Sequence, residues 1–519
     1  AAASSATVSN EITLGDTAIT KFRVPGLNFS IKDSTATNDY VLTVDANGDA
    51  GWEAISAGPG TGQQYVTLET GNSPSNSGVN TFAGYNAGNA LTSADHTTLF
   101  GYEAGAAITT IGNNCFFGSG AGQATTTGGD NCGFGQATLQ TSTTGANNVA
   151  VGREALKALT TGTYNIALGH RTADTLTTAS YNVFLGKDVA GNNTVTGGYN
   201  IGIGNHACYG LTSGQGNVAV GADSLLNIST GNYNIALSMD ALRAVTTGSN
   251  NIGLGKDAAR KVTTASDNIA LGYNALYNVV DGGENIAIGK EALLGLPSGN
   301  ENKGNVAIGS EALKSQTTND FRYFVAIGHH AMKDFNHAAS NSGSTAVGAY
   351  AMQNVTTGDR NVAFGKNSLN DCTTGSYNAV FGTYTGQEIT TGGHNTLLGM
   401  YAGRYITTGS SNVNVGSNAG DNITTGIGNI VIGTNSDASA ANVDYEVTIG
   451  NSNITKFRVP GINFTVKDTT ATEDYVLTVD ANGEAGWEAA GGAGTGESYV
   501  KFKNNSGALA NNGTNAYVG

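Results

Sequence analysis

Carboxylates return at one fixed place along much of this chain: Glu103, Glu154, Asp188, Asp223, Asp240, Asp257, Glu291 and Glu311. Two carboxylates held close together are the equipment of glycoside hydrolysis. Here they recur at regular spacing and often follow a base, as in Arg153-Glu154, Lys187-Asp188, Lys256-Asp257 and Lys290-Glu291. That pattern reads as a solvated, partly charge-paired face. Its acids also suit the start of a helical turn, where the backbone dipole favours negative charge. No catalytic residue is assigned, and no enzymatic activity is expected. Asp45, Asn47 and Asp49, echoed by Asp480, Asn482 and Glu484, superficially suggest a calcium loop. The Gly and distal Glu of an EF-hand are misplaced, and a hairpin with an Asn-Gly turn fits better.

Cysteine chemistry is equally muted. Cys115 and Cys132 stand where other repeats carry Val or Ile, Cys208 stands in a Leu column, and Cys372 in a Val/Leu/Ile column. All four read as small buried hydrophobes. A bond between Cys115 and Cys132 is the alternative, since adjacent strands stack at about 4.8 Å. No zinc spacing is present, and neither a metal nor a cofactor is expected. One further concentration holds Phe321, Arg322, Tyr323, His329, His330, Phe335 and His337, on loops where the repeat is lengthened. Aromatics with Arg on protruding loops suit a glycan or a neighbouring fibre; the alternative is a bulged repeat capped by aromatics. His329 and His330 are adjacent, which in a strand would point their rings apart.

The elements that carry these residues come from a repeat. Gly or its single substitute Ser238 recurs at 22 positions from Gly84 to Gly450, and 18 of the 21 intervals are 17 or 18 residues. The phrase Asn-x-Ala-x-Gly closes it, as at 148–152, 165–169 and 285–289. A fixed period over so long a run is the mark of a solenoid. Counting from the glycine as zero, Asn fills position −4 in 18 of 22 repeats, the exceptions being Thr97, Phe324, Ser344 and Glu446. So regular an Asn column suggests a ladder of side-chain amides that fixes the register between turns. Branched residues at −3 and −1 with a small residue at −2 predict a short strand.

The bulky pair is expected to face the core. Ala150, Ala167, Ala219, Ala236, Ala270 and Ala287 would then form a flat row buried between subunits; the alternative is that Ala tolerates a crowded turn within one chain. Small and apolar residues at +3, +4 and +7 fit either a helical turn or a second short strand. Thr-Thr-Gly, as at 160–162 and 246–248, supplies the reversal into the next repeat.

Composition narrows the function classes. Charged residues are 12% of the chain and the net charge is −15, which excludes the basic footprint of nucleic-acid binding. No apolar run approaches the roughly 20 residues of a transmembrane helix. The chain begins without Met or a signal peptide, and is expected to be a processed or excised piece. Residues 11–54 and 446–489 are near copies of one another, each containing one of the two Trp residues, Trp52 and Trp487. The expected organisation is the end of a preceding solenoid at 1–18, a β connector at 19–56 and a Gly-rich linker at 57–64. The main solenoid follows at 65–450, then a duplicate connector at 451–489, a linker at 490–496 and the start of another solenoid at 497–519.

The Asn-x-Ala-x-Gly-x-x-Ala repeats resemble the head repeats of trimeric autotransporter adhesins, the YadA-like family, whose repeat is shorter. Joined to Thr-Lys-Phe-Arg-Val-Pro-Gly at 20–26 and 455–461 and to Val-Leu-Thr-Val-Asp with Gly-Trp at 41–52 and 476–487, they are similar to tail-fibre and other fibre proteins of marine bacteriophages and viruses. The resemblance implies a homotrimer of parallel β-rolls, extended over about 21 steps at roughly 4.8 Å, on the order of 100 Å. The expected fold is thus a mainly β, parallel β-solenoid of about 22 rungs. The expected role is a rigid spacer in an extracellular fibre, on a virion or cell surface, joined to adjoining fibre modules and serving attachment to a host receptor or glycan. A bacterial adhesin or matrix filament is the alternative, and a tailspike-type glycan depolymerase a third.

Overall fold

The computed structural model describes residues 80–295, 302–316, 321–335 and 343–456, together with the backbones of Tyr40–Val44, Ala50–Ala54, Val66–Glu69, Tyr475–Val479 and Ala485–Ala489. The chain divides into two units, 1–343 and 344–519. The first carries fifteen stacked strands from Asn80–Ala83 to Val325–Ile327, and the second seven from Thr345–Val347 to Val447–Ile449. Each is a parallel β-solenoid, 22 rungs in all, with the expected 17-residue spacing. In each unit every strand pairs in register with the next, so Ile235 meets Ile252 and Ala236 meets Gly253. Val66–Glu69 joins the first of them antiparallel.

The two near-identical flanking segments each form an antiparallel pair, Tyr40–Val44 with Ala50–Ala54 and Tyr475–Val479 with Ala485–Ala489, in matching register. The turns between these strands, which include the Asp/Asn groups considered for calcium, lie outside the described residues.

The inward face of each strand is the reverse of the expectation. Ala150, Ala167, Ala219, Ala236, Ala270 and Ala287 are fully buried inside a single chain, while the branched residues beside them face outward. An alternating strand puts −4 and −2 on one face, and both Asn −4 and Ala −2 are buried. The row is therefore a wall of the core. No alanine in it has surface left to offer a partner.

The return segment supplies the bulk that Ala lacks. Ala155, Leu156 and Leu159 are fully buried, as are Ala241, Leu242 and Val245 in the same columns five rungs on. Where a rung has Leu or Met at +4, position −2 is Ala or Gly, as in Ala150 with Leu156 or Ala219 with Leu225. Where +4 is Gly, position −2 is larger: Phe82 with Gly88, Leu99 with Gly105, Phe116 with Gly122, Val380 with Gly386 and Leu397 with Gly403. The exchange is steric, since a Cβ on Gly122 would sit 2.3 Å from the Phe116 ring. Asn414 with Gly420 completes the set, its buried amide without a hydrogen-bond partner. Close packing of a narrow core forces one large residue or the other.

Among the described residues no helix forms between +1 and +7. In the rung of Gly101 the amides of Ala104, Ala106 and Ile108 donate to carbonyls three residues back, at Gly101, Glu103 and Gly105. The alternate amides of Gly105 and Ala107 donate instead to Ala121 and Gln123 of the next rung. This is a chain of overlapping turns, with positive φ at +2 and +4, as at Glu154 (61°) and Leu156 (50°). The positive φ at the third residue of the first two turns is the mark of type II geometry. A helix would spend every amide within the rung and leave none to bond its neighbours. Positive φ disfavours β-branched residues, and +4 is Gly, Ala, Leu, Met or Cys in the twenty rungs from Gly84 to Gly416.

Candidate interaction surface

The Asn column is the polar spine expected of it. From Asn114 to Asn305 twelve side chains stack, each backbone amide and Nδ2 donating to the Oδ1 of the preceding Asn at 2.9–3.2 Å. The second Nδ2 hydrogen reaches a turn carbonyl, as from Asn148 to Gly162 at 3.0 Å. Every polar atom of the side chain is thereby used. Only a primary amide carries two donors and a two-lone-pair acceptor at this reach, which explains the preference for Asn. In the second unit the ladder starts at the Ser344 hydroxyl and runs through Asn361, Asn378, Asn395 and Asn412 to Asn429, which accepts from Glu446. Threonines at +8 add a hydroxyl ladder along the turns, as from Thr143 to Thr160 and Thr160 to Thr177.

Outward lie positions −3 and −1. Across 22 strands these two columns contain no charged residue; they are Val, Ile, Leu and Phe with a few Thr, Ala and Cys. Ile166, Leu168, Ile201, Ile203, Ile430 and Ile432 are each 36–40% exposed. Phe100, Phe117 and Phe134 stack along the strip at 4.8 and 4.9 Å, and Phe364 stacks on Phe381 at 5.3 Å. In the first unit the strip is roughly 70 Å long and 10 Å wide, on the order of 700 Å², from strand and side-chain spacing. That exceeds the apolar patch a soluble monomer normally exposes. Cys115 and Cys132 lie in it, half-buried, free and directly opposite each other, with burial pushing both thiols up. They are not core residues, unlike Cys208 and Cys372, whose thiols burial pushes up to about 12.

The carboxylate column occupies the positive-φ position +2 and is laced with charge pairs. Glu154 has Arg153 at 3.3 Å, Lys157 at 3.6 Å and Arg171 at 3.9 Å, and Arg171 also reaches Asp174 at 3.0 Å. With no helix there, the dipole reading of these acids lapses. Glu311 has Lys333 at 3.0 Å and Lys314 at 3.2 Å. The Lys333 hydrogen bond leads in holding its carboxyl down to about 2, against the smaller opposing effect of burial. No group of His, Cys, Asp and Glu suited to a metal occurs among the described residues.

The aromatic loop patch separates into two populations. Phe321 and Phe335 are fully buried and are not surface groups. They enclose Phe324, which replaces the ladder Asn, with Phe321 stacked on it at 4.0 Å and Phe335 tilted at 4.9 Å. Phe321 and Phe324 keep the spine bonded through their backbone amides, which donate to Asn302 and Asn305. Arg322 is half-buried and bridges Lys303 through its backbone, whereas Tyr323 is exposed. His329 and His330 follow the strand and stack face to face at 3.7 Å, contrary to the divergence expected of strand neighbours. His330 also lies 3.5 Å from Glu311. His337 lies outside the described residues.

Sequence reasoning missed the outward strip because it assigned those columns to the core. The signal was available at −4, since a buried amide ladder must share its face with −2. No protein-family model, curated protein or solved structure matches the chain.

Proposed function

We propose that this chain is a structural segment of an extracellular fibre, in which three copies stand side by side and hold an attachment tip away from a virion or cell surface. The observation that carries this reading is the outward strip, uncharged at both columns of every strand. Water-facing columns of a lone solenoid would be expected to carry charged or polar groups, as the +2 column does with its Glu, Asp, Asn and His residues. Packing three strips against a common axis removes them from water, at about 25 cal/mol per Å² of apolar surface. The number three follows the resemblance of the repeat, and the seat of the contact is corrected from the alanine row to the branched columns.

A spacer must resist bending and shearing. Backbone bonds between rungs, the Asn spine and the Thr ladder all run along the stacking direction. Their repetition makes each rung depend on its nearest neighbours, as in other solenoids. The +2 acids are engaged with bases, as Glu154 with Arg153 and Glu311 with Lys314, which suits a charge-paired outer face of a fibre. Among the described residues no helix is long and apolar enough to cross a membrane.

Imaging tests the spacer reading. Removing two 17-residue repeats, Asn234 to Asp267, should shorten the particle by about 10 Å and leave its β structure intact. Collapse into aggregates, or an unchanged particle length, would count against a rung-by-rung spacer.

A further inference from the structure

The two columns that flank the outward strip vary together. Position −5 lies just before each strand and +1 just after it, six residues apart. In an extended strand that is roughly 17–20 Å, too far for their side chains to meet within one rung. Yet where −5 is Gly, +1 is small: Gly216 with Ala222, Gly304 with Ser310 and Gly428 with Thr434. Where −5 is large or charged, +1 is in most rungs larger as well, as in Tyr181 with Lys187 and Glu284 with Lys290, the exceptions being Asn113 with Ser119 and Tyr377 with Thr383. None of the rungs with Lys, Arg, Met, His or Tyr at +1 has Gly at −5.

The glycines have a reason of their own within the chain. A Cβ on Gly216 would lie 2.6 Å from the Tyr233 ring of the next rung, and Gly428 stands likewise beneath Tyr445. That accounts for Gly at −5 and leaves the small residue at the far flank unexplained. Glu284 and Lys290 are both exposed, and Lys290 pairs along its own flank with Glu291 at 3.9 Å. The rung with like charges, Arg360 and Lys366, lays both along its own stack, Arg360 over Tyr377 and Lys366 over Tyr384 of the next rung.

We infer that the −5 flank of one chain packs against the +1 flank of the next at the same height, so that the copies run parallel and in register around an axis along the stack. This rests on the fibre reading above and specifies its contact. The size matching of the Gly rungs and the opposite charges of Glu284 and Lys290 are met when flank packs on flank of the same repeat. An antiparallel pair would set −5 against −5 of distant repeats, and a stagger of one rung would set Gly216 against Met239. A closed ring of copies related by rotation brings these matched flanks together at every repeat of the stack. The outward strip is then sealed on both sides by matched columns, small against small and Tyr or Glu against Lys.

Cross-linking decides it. In a background with Cys115→Val and Cys132→Val, chains bearing Glu284→Cys and Lys290→Cys together are first weighed in solution and then oxidised with a copper catalyst and oxygen. Each pair of thiols loses two hydrogens to form one disulfide, with oxygen reduced. The expected result is near-complete conversion to covalent multimers on non-reducing gels, reversed by a thiol, with neither single variant linking. An assembled sample that links through Glu284→Cys alone, or not at all, overturns the flank pairing and leaves the fibre reading standing. A sample that weighs as one chain overturns both.

Discussion

The inward and outward faces of these strands are almost equally apolar and are used for opposite purposes. Inward, Ala219 and Ala236 are small because two walls of one chain close on them. Outward, Val218, Val220, Ile235 and Leu237 are bulky and stay partly exposed in the single chain, Ile235 at 37%. Apolar size, the usual guide to what lies inside, is here a guide to what a single chain leaves partly exposed. The difference teaches that in a narrow solenoid the core is defined by the polar ladder it shares a face with. In the proposed fibre, the branched columns beside it form an interface laid down one rung at a time.

Substitutions on the two faces should therefore diverge. Ala219→Arg buries an unpaired charge in a site with no spare volume, and should cost more than about 4 kcal/mol. A thermal melt should show loss of the cooperative β transition in that unit; a melting temperature within a few degrees of the parent would place Ala219 outside the core. Next in size is the exchange between −2 and +4. Phe116→Ala should destabilise by about 3–5 kcal/mol, and Gly122→Leu alone should also destabilise, by clash with Phe116. The two together recreate the Ala150 and Leu156 arrangement and should recover more than half of the loss in chemical denaturation. Simple addition of the two penalties would dismiss the exchange rule.

Smaller effects test the spine and the charged face. Asn234→Ala removes the acceptor for the Asn251 backbone amide and side chain, both at 3.0 Å. Each orphaned group costs about 1–3 kcal/mol, so hydrogen exchange at Asn251 should quicken first and most. Uniform exchange throughout the unit would argue that the ladder adds nothing local. The smallest effect concerns Glu311, whose folded value of about 2 lies below the ordinary 4.5. Its contribution is complete above the ordinary value and is lost as pH falls from 4.5 through about 2. Lys333→Ala should move its carboxyl titration upward, with less than about 1 kcal/mol of stability change. An unmoved titration would show that Lys333 does not hold it.

Much of the fold was legible because repetition averages out local accident. The period, the short strand at −3 to −1, the amide ladder and the burial of +3, +4 and +7 all follow from columns with few exceptions. What was not legible was direction. Alternation says that Ala236 opposes Ile235 and Leu237, and is silent on which face closes on itself. The +3, +4, +7 spacing also coincides with a helical turn, and only the exclusion of β-branched residues at +4 distinguishes the positive-φ turns found there. At the lengthened repeats, Phe321 and Phe335 looked exposed because insertions usually emerge. Phe324 in the buried Asn column was the sign that the aromatics plug the core instead.

The central claim is that the branched face is an interface, and solution mass tests it most directly. Light scattering should give three times the 52.5 kDa of one chain for the unaltered protein. Ile235→Glu, Ile252→Glu, Ile269→Glu and Ile286→Glu combined should lower that mass toward a single chain while the β signal persists. A single-chain mass for the unaltered protein, or a full assembly that ignores four new charges in the strip, would contradict it.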